Sequence, residues 1–185
     1  AFVLLVGRLG IASLAATNIA FNINTLAFMP MIGCGIAVSV LVGQYLGSDK
    51  PDYAQSAVYS GFHLTLAYML SIAAAYVLLP DLFVVPFAHK ADPERFVEIY
   101  GYSVVLLRFV AIYCLFDTMN IIFCSAIKGA GDTRYVMFMT VILSIFVLII
   151  PVYLAVEVLG AGLMVAWVFA TAYVISLGVA FYLRF

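Results

Sequence analysis

The sequence predicts an all-α protein that crosses a membrane several times, and three observations carry that expectation. Hydrophobic residues make up 67% of the 185 positions and charged residues only 9%, with a mean hydropathy of +1.21, where an average soluble domain is about 25% charged. The apolar residues come in runs long enough, at about 20 residues each, to cross a hydrocarbon core as helices. Between the runs lie prolines, glycines and clustered charges, which are helix-ending signals. A net charge of −1 without any basic run argues against nucleic acid as a partner, and no Lys/Arg-rich amphipathic stretch suggests peripheral attachment. Cys34, Cys114 and Cys124 stand singly in apolar surroundings. They read as small buried hydrophobes rather than a disulfide or metal framework.

Taken in order, the apolar opening from Ala1 stops at Arg8, too short to span. It is expected to be the tail of a helix that begins upstream (a partial span over 1–9), which makes the chain a fragment of a longer one. A signal peptide is a poor reading, because no basic n-region and no small-residue cleavage site are present. The next run, 14–46, is interrupted by Pro30 and would be roughly 50 Å long. Such a helix must tilt, kink at the proline or project into water. "GSDKPD" ends it, with Pro51 suited to a first helical turn. The second complete span is 53–79, ending at Pro80. A connector from Asp81 to Glu98 is expected to hold a short interfacial piece and a helix start at Asp92-Pro93-Glu94. The remaining spans are 97–127, 135–156 and 163–183. The turn "KGAGDTR" should close one helix with a glycine and open the next with Asp132 as N-cap. Lysines and arginines in the short loops place Lys50, Lys128, Arg134 and Arg184 on one side and Arg8, Lys90 and Arg95 on the other. The acidic residues Asp81, Asp92, Glu94, Glu98 and Glu157 crowd the second side. By the positive-inside rule the first side, with the C-terminus, is expected to face the cytoplasm.

The chemistry-bearing residues lie inside these spans. Asp117 falls in the middle of "IYCLFDTMNIIF", where a carboxylate costs about 2.5–3.5 kcal/mol on translocon scales. Tyr113 lies four residues before it and Asn120 three after, so the three share one helix face. Asp117 can be a structural carboxylate that ties two helices together, or an ion or substrate ligand; intramembrane ionisable groups default to the second. Its neighbours have oxygen atoms suited to Na⁺, and a carboxylate out of water also takes up a proton. Arg108, nine residues away, lies about 180° around the helix and ~13 Å along it. It is expected to snorkel rather than neutralise Asp117. Asn18, Asn22 and Thr25, at i, i+4 and i+7, form a second polar face, read either as interhelical hydrogen bonding or as a cavity lining. His63 reads as a packing residue.

The order of "NIAFNINTLAFMPMIGCGIAVSVLVGQYLG", "IKGAGDTR" and "GAGLMVAWVFA" resembles the C-terminal half of a multidrug and toxic compound extrusion (MATE) transporter of the NorM type. The resemblance covers essentially the whole chain. It implies one six-helix lobe of a twelve-helix transporter, namely the last part of helix seven plus helices eight to twelve over 1–185, with the N-terminal six-helix lobe as partner. It also implies export of cationic, often aromatic drugs by alternating access in exchange for Na⁺ or H⁺, with no cofactor. The setting would be a bacterial-type inner membrane. The family's tyrosine and aspartate four apart on helix ten match Tyr113 and Asp117, which become the ion-coupling pair, or Na⁺ ligands if coupling is to sodium; Asn120, Asn18, Asn22 and Thr25 become candidate cavity residues. The family's partner acid on helix seven would lie upstream of Ala1, and the fragment alone is expected to be inactive. A lipid or oligosaccharide flippase of the same superfamily is the alternative, distinguished by a more cationic cavity. "GAGD" at 129–132 also resembles the GxGD signature of intramembrane aspartyl proteases. Lys128 and Arg134 place Asp132 in a loop, however, and fifteen helical residues put it ~20 Å from Asp117, too far for two acids sharing one water. An enzyme is therefore not expected.

Overall fold

The computed structural model describes residues 7, 11–84, 93–158, 160 and 162–185. Of the partial helix expected over 1–9 only Gly7 is among them, and Arg8, Lys90 and Asp92 lie outside the described residues. Helix α1 is Ile11–Gly47, α2 Pro51–Leu78, the short α3 Pro80–Val84 and α4 Pro93–Gly129. Helix α5 runs continuously over 133–158, and α6 is Leu163–Arg184. Among the described residues, five stretches are long and apolar enough to cross a membrane: Ala27–Gly47, Pro51–Leu78, Tyr100–Gly129, Thr133–Val156 and Leu163–Arg184.

Helix α4 is the hub, packed against α1, α2 and α6, and its span is the most buried of the five. The reason lies in α1, which turns Ala16, Ala20, Ala27 and Met31 inward, all buried. Small residues at helical spacing let two backbones approach closely, which is how helices associate where no water drives them together. Leu106, Leu107, Val110 and Cys114 of α4 fill the facing surface, and Trp167 of α6 and Tyr76 of α2 close the cluster. A second cluster below it gathers Val38, Ile122, Phe123 and Phe181.

Both turns expected between α1 and α2 and between α4 and α5 are built by the same device. At the end of α4 the amide of Asp132 donates to the carbonyl of Ile127 (3.1 Å) and that of Gly131 to Lys128 (3.0 Å). Gly131, at φ +91°, occupies the left-handed position this Schellman turn requires. Asp132 then caps α5 by accepting from the amide of Tyr135 at 3.3 Å. At the end of α1 the equivalent bonds run from Lys50 to Tyr45 (2.9 Å) and from Asp49 to Leu46 (3.2 Å). Here Asp49 itself takes φ +54°, a conformation a short polar side chain tolerates.

Prolines shape two helices differently. Pro30 sits inside α1, which continues through it as one helix of 37 residues, about 55 Å long. Around Pro151, α5 changes register. It is α-helical over Thr133–Leu143, widens to a π-helix over Ser144–Ile149, returns to α over Ile150–Tyr153 and widens again over Leu154–Val158. A proline cannot donate to the carbonyl four residues earlier and its ring crowds that oxygen. Wider turns relieve both problems.

Candidate functional site

A cavity of about 300 Å³ opens between α1, α4, α5 and α6 at the level of Asp117. Helix α4 brings in Tyr113 and Asp117, one turn apart and each only 6% exposed. Helix α1 contributes Phe21, Asn24 and Phe28, and α6 contributes Trp167 and Tyr173. The aromatic wall is ordered by its own contacts. The rings of Tyr113 and Trp167 lie 6.3 Å apart and nearly parallel, Phe21 is 5.5 Å from Trp167, and the indole N–H donates to Thr17 Oγ1 at 3.4 Å.

Helix α6 approaches α4 closely at Gly178. Gly178 lies so near α4 that a Cβ there would sit 2.9 Å from the Phe116 carbonyl oxygen, one residue before Asp117.

The electrostatics centre on Asp117. Among the described residues its carboxylate accepts a hydrogen bond from Asn120 Nδ2, at a long 3.4 Å, and no lysine or arginine lines the cavity. Arg108 is exposed. One neutral amide does not offset the removal of a full charge from water. The donor set fits a hard cation such as Na⁺: Asp117 offers carboxylate oxygens and Tyr113 a hydroxyl. Among the described residues no group of three or more His, Cys, Asp or Glu side chains could hold a metal ion.

The sequence-derived residues separate into two groups. Tyr113 and Asp117 line one cavity, and Asn120 joins them through its bond to Asp117 while lining a neighbouring groove. Asn18, Asn22 and Thr25 are exposed on another face of α1 and do not line the Asp117 cavity. In their place stands Asn24, which sequence reasoning missed. It is 7% exposed, its amide donates to Tyr113 Oη at 3.3 Å, and its carbonyl accepts from Cys114 Sγ at 3.4 Å. A signal for it was present. Thr17, Asn24 and Met31 recur every seven residues beside the small residues Ala16, Ala20 and Ala27, and a small-residue face marks a helix interface.

Comparison with known proteins follows the same direction. The family model described as MatE matches residues 1–154. The chain is 32% identical over 131 residues to the multidrug resistance protein NorM of Burkholderia vietnamiensis, covering 71% of this chain and 28% of that protein. Against the "Probable multidrug resistance protein NorM" of Pseudomonas putida it is 36% identical over 131 residues, 71% of this chain and 28% of the relative. The protein of the same name from Thermotoga maritima is 29% identical over 161 residues, 86% of this chain and 33% of the relative. The chain thus spans about a third or less of the length of these curated relatives.

Proposed function

The chain belongs to the MatE family, and on that premise we propose that it forms the C-terminal six-helix lobe (1–185) of a twelve-helix, cation-coupled exporter of cationic drugs. In this reading it comprises the last part of helix seven and helices eight to twelve. The lobe sits in a bacterial inner membrane with its C-terminus in the cytoplasm and works with an N-terminal six-helix lobe. The observation that carries the reading is the buried Asp117, which shares a cavity with Tyr113 and an aromatic wall and has no cationic partner among the described residues. Asp117, with Tyr113, takes Na⁺ or a proton. The occupied and empty states then favour different lobe arrangements, because a ligand shifts an equilibrium only by its differential affinity for the two states. Asn18, Asn22 and Thr25, exposed on α1, would face the space between lobes. A cavity lined by one acid and no lysine or arginine also favours a cationic cargo over the anionic headgroups a flippase carries.

The test uses the full-length transporter containing this sequence, reconstituted in vesicles under an imposed Na⁺ or proton gradient. Asp117→Asn, which keeps shape and removes the charge, is expected to abolish gradient-driven ethidium efflux at matched protein level. Tyr113→Phe should reduce it less, since it removes one oxygen and no charge. Wild-type efflux by the Asp117→Asn variant overturns the coupling role.

A further inference from the structure

We infer that Asn24 is a positioning residue of the Asp117 site: it turns the Tyr113 hydroxyl toward the carboxylate and so ties occupancy of that site to the position of α1. The inference rests on the coupling role proposed above for Asp117 and names the residue that passes occupancy on.

Asn24 belongs to α1, yet its side chain bonds to α4 at both ends. Its Nδ2 donates to Tyr113 Oη at 3.3 Å, and its Oδ1 accepts from Cys114 Sγ at 3.4 Å. All three side chains are buried, Cys114 completely. With Nδ2 on the phenol oxygen, Tyr113 keeps its own hydrogen for the cavity it shares with Asp117. Among the described residues that carboxylate otherwise accepts only from Asn120, at 3.4 Å. An amide turned the other way would consume the phenol hydrogen and leave a lone pair facing a buried carboxylate, the less favourable arrangement. The donors therefore run one way, from Cys114 to Asn24 to Tyr113 to Asp117. This chain starts and ends on α4 and passes through α1 once.

Hydrogen bonds in such a chain polarise one another, so accepting from Asn24 makes Tyr113 a better donor to an empty, charged Asp117. Once Asp117 is protonated or holds a cation, the phenol oxygen is needed there as acceptor or ligand, in competition with the amide. The bond between α1 and α4 is thus strongest with the site empty and weakest with it occupied. Phe21 and Phe28, three residues before Asn24 and four after, share its helix face and line the same cavity. A shift of α1 at Asn24 carries both rings with it, which connects the ion site to the aromatic wall.

The full-length transporter containing this sequence, purified in Na⁺-free detergent buffer, tests the inference in two ways. Asn24→Leu is first measured with Asp117 in place and in the Asp117→Asn background, where the charge ending the chain is gone. Its fall in melting temperature should be about 1–3 °C larger beside the aspartate, the scale of coupling between linked side chains. That excess should vanish when Tyr113→Phe is added to both. Additive losses overturn the inference, and so does an excess that survives without the Tyr113 hydroxyl. The second measurement leaves Asn24 unchanged. The ultraviolet Raman doublet of tyrosine separates a phenol that donates from one that accepts, and subtracting the spectrum of Tyr113→Phe isolates Tyr113. It should read as a donor in the wild type and move toward an acceptor in Asp117→Asn; an unmoved doublet overturns the inference whether or not Asn24→Leu folds. Neither readout uses transport. Wild-type efflux by Asp117→Asn defeats the coupling reading and leaves these two results as they are, whereas their failure with efflux abolished removes the role of Asn24 alone.

Discussion

Replacing Gly178 by alanine should loosen the contact between α6 and α4 beside Asp117. The added Cβ would sit 2.9 Å from the Phe116 carbonyl oxygen, with Met119 Cβ at 3.4 Å and the amide nitrogen of Asn120 at 3.6 Å boxing it in, whereas ordinary contact begins at 3.4 Å. The obstructing atom is main chain of α4 and cannot swing aside as a side-chain tip would. Helix α6 must therefore retreat by about half an ångström, and overpacking of this kind costs about 1–3 kcal/mol. Alanine returns up to about 1 kcal/mol through its better helix propensity, so from the middle of that range, about 2 kcal/mol, a net loss of about 1–2 kcal/mol remains. At roughly 2–4 °C per kcal/mol for a chain of this size, the melting temperature should fall by about 2–8 °C. Gly101→Ala is the control. Gly101 is in the interior of α4 and exposed, and a Cβ added there would meet nothing within 4 Å, so the same substitution should be neutral or stabilising. Thermal unfolding of purified protein in detergent, followed by the emission of the chain's one tryptophan, Trp167, reads both. Because Trp167 lies on the same helix, α6, and lines the Asp117 cavity, Gly178→Ala should also alter its native emission. A Gly178→Ala protein as stable as wild type, or a Gly101→Ala protein that loses as much, would refute the close-approach argument.

Tyr113→Phe removes the acceptor of the Asn24 amide, which is buried, and should destabilise the fold by about 1–3 kcal/mol; combining it with Asn24→Leu should recover part of that loss, and strict additivity in the double-mutant cycle would show that the two side chains do not interact. The Asp132 carboxyl is held below the usual aspartate range first by the hydrogen bond from Arg184 and then by the amide of Tyr135. A depressed folded value means that the stabilisation is present above the unfolded pKa of about 3.9 and is lost as pH falls through the lower folded value. The melting-temperature gap between wild type and Asp132→Asn should therefore close below about pH 4, and it should be small throughout because both partners are substantially exposed (side chains 54% for Arg184 and 34% for Asp132). A gap that persists unchanged into acid would contradict the charge-based account.

The membrane class and its spans were legible in the sequence because a helix in lipid must satisfy its own backbone and be apolar all round, a condition that composition and run length report directly. Turn chemistry was legible for the same local reason: Gly131 and Asp132 act through their own backbone and a neighbour three residues away. Tyr113, Asp117 and Asn120 could be placed on one face, since helical periodicity fixes relative direction within an element. Which side chains from other helices meet that face was decided by tertiary structure alone. Asn24 rather than Asn18 or Asn22 reaches Tyr113, because the rotation of α1 is set by packing its small residues onto α4. Gly178 brings α6 against Phe116, and Phe21, Tyr113 and Trp167 of three different helices meet as one aromatic wall only in the packed structure. The π-turns around Pro151 belong to the same category. A proline in the sequence announces that a hydrogen bond is lost, and only the packed helix determines whether the chain answers by bending, as a break, or by widening its turns.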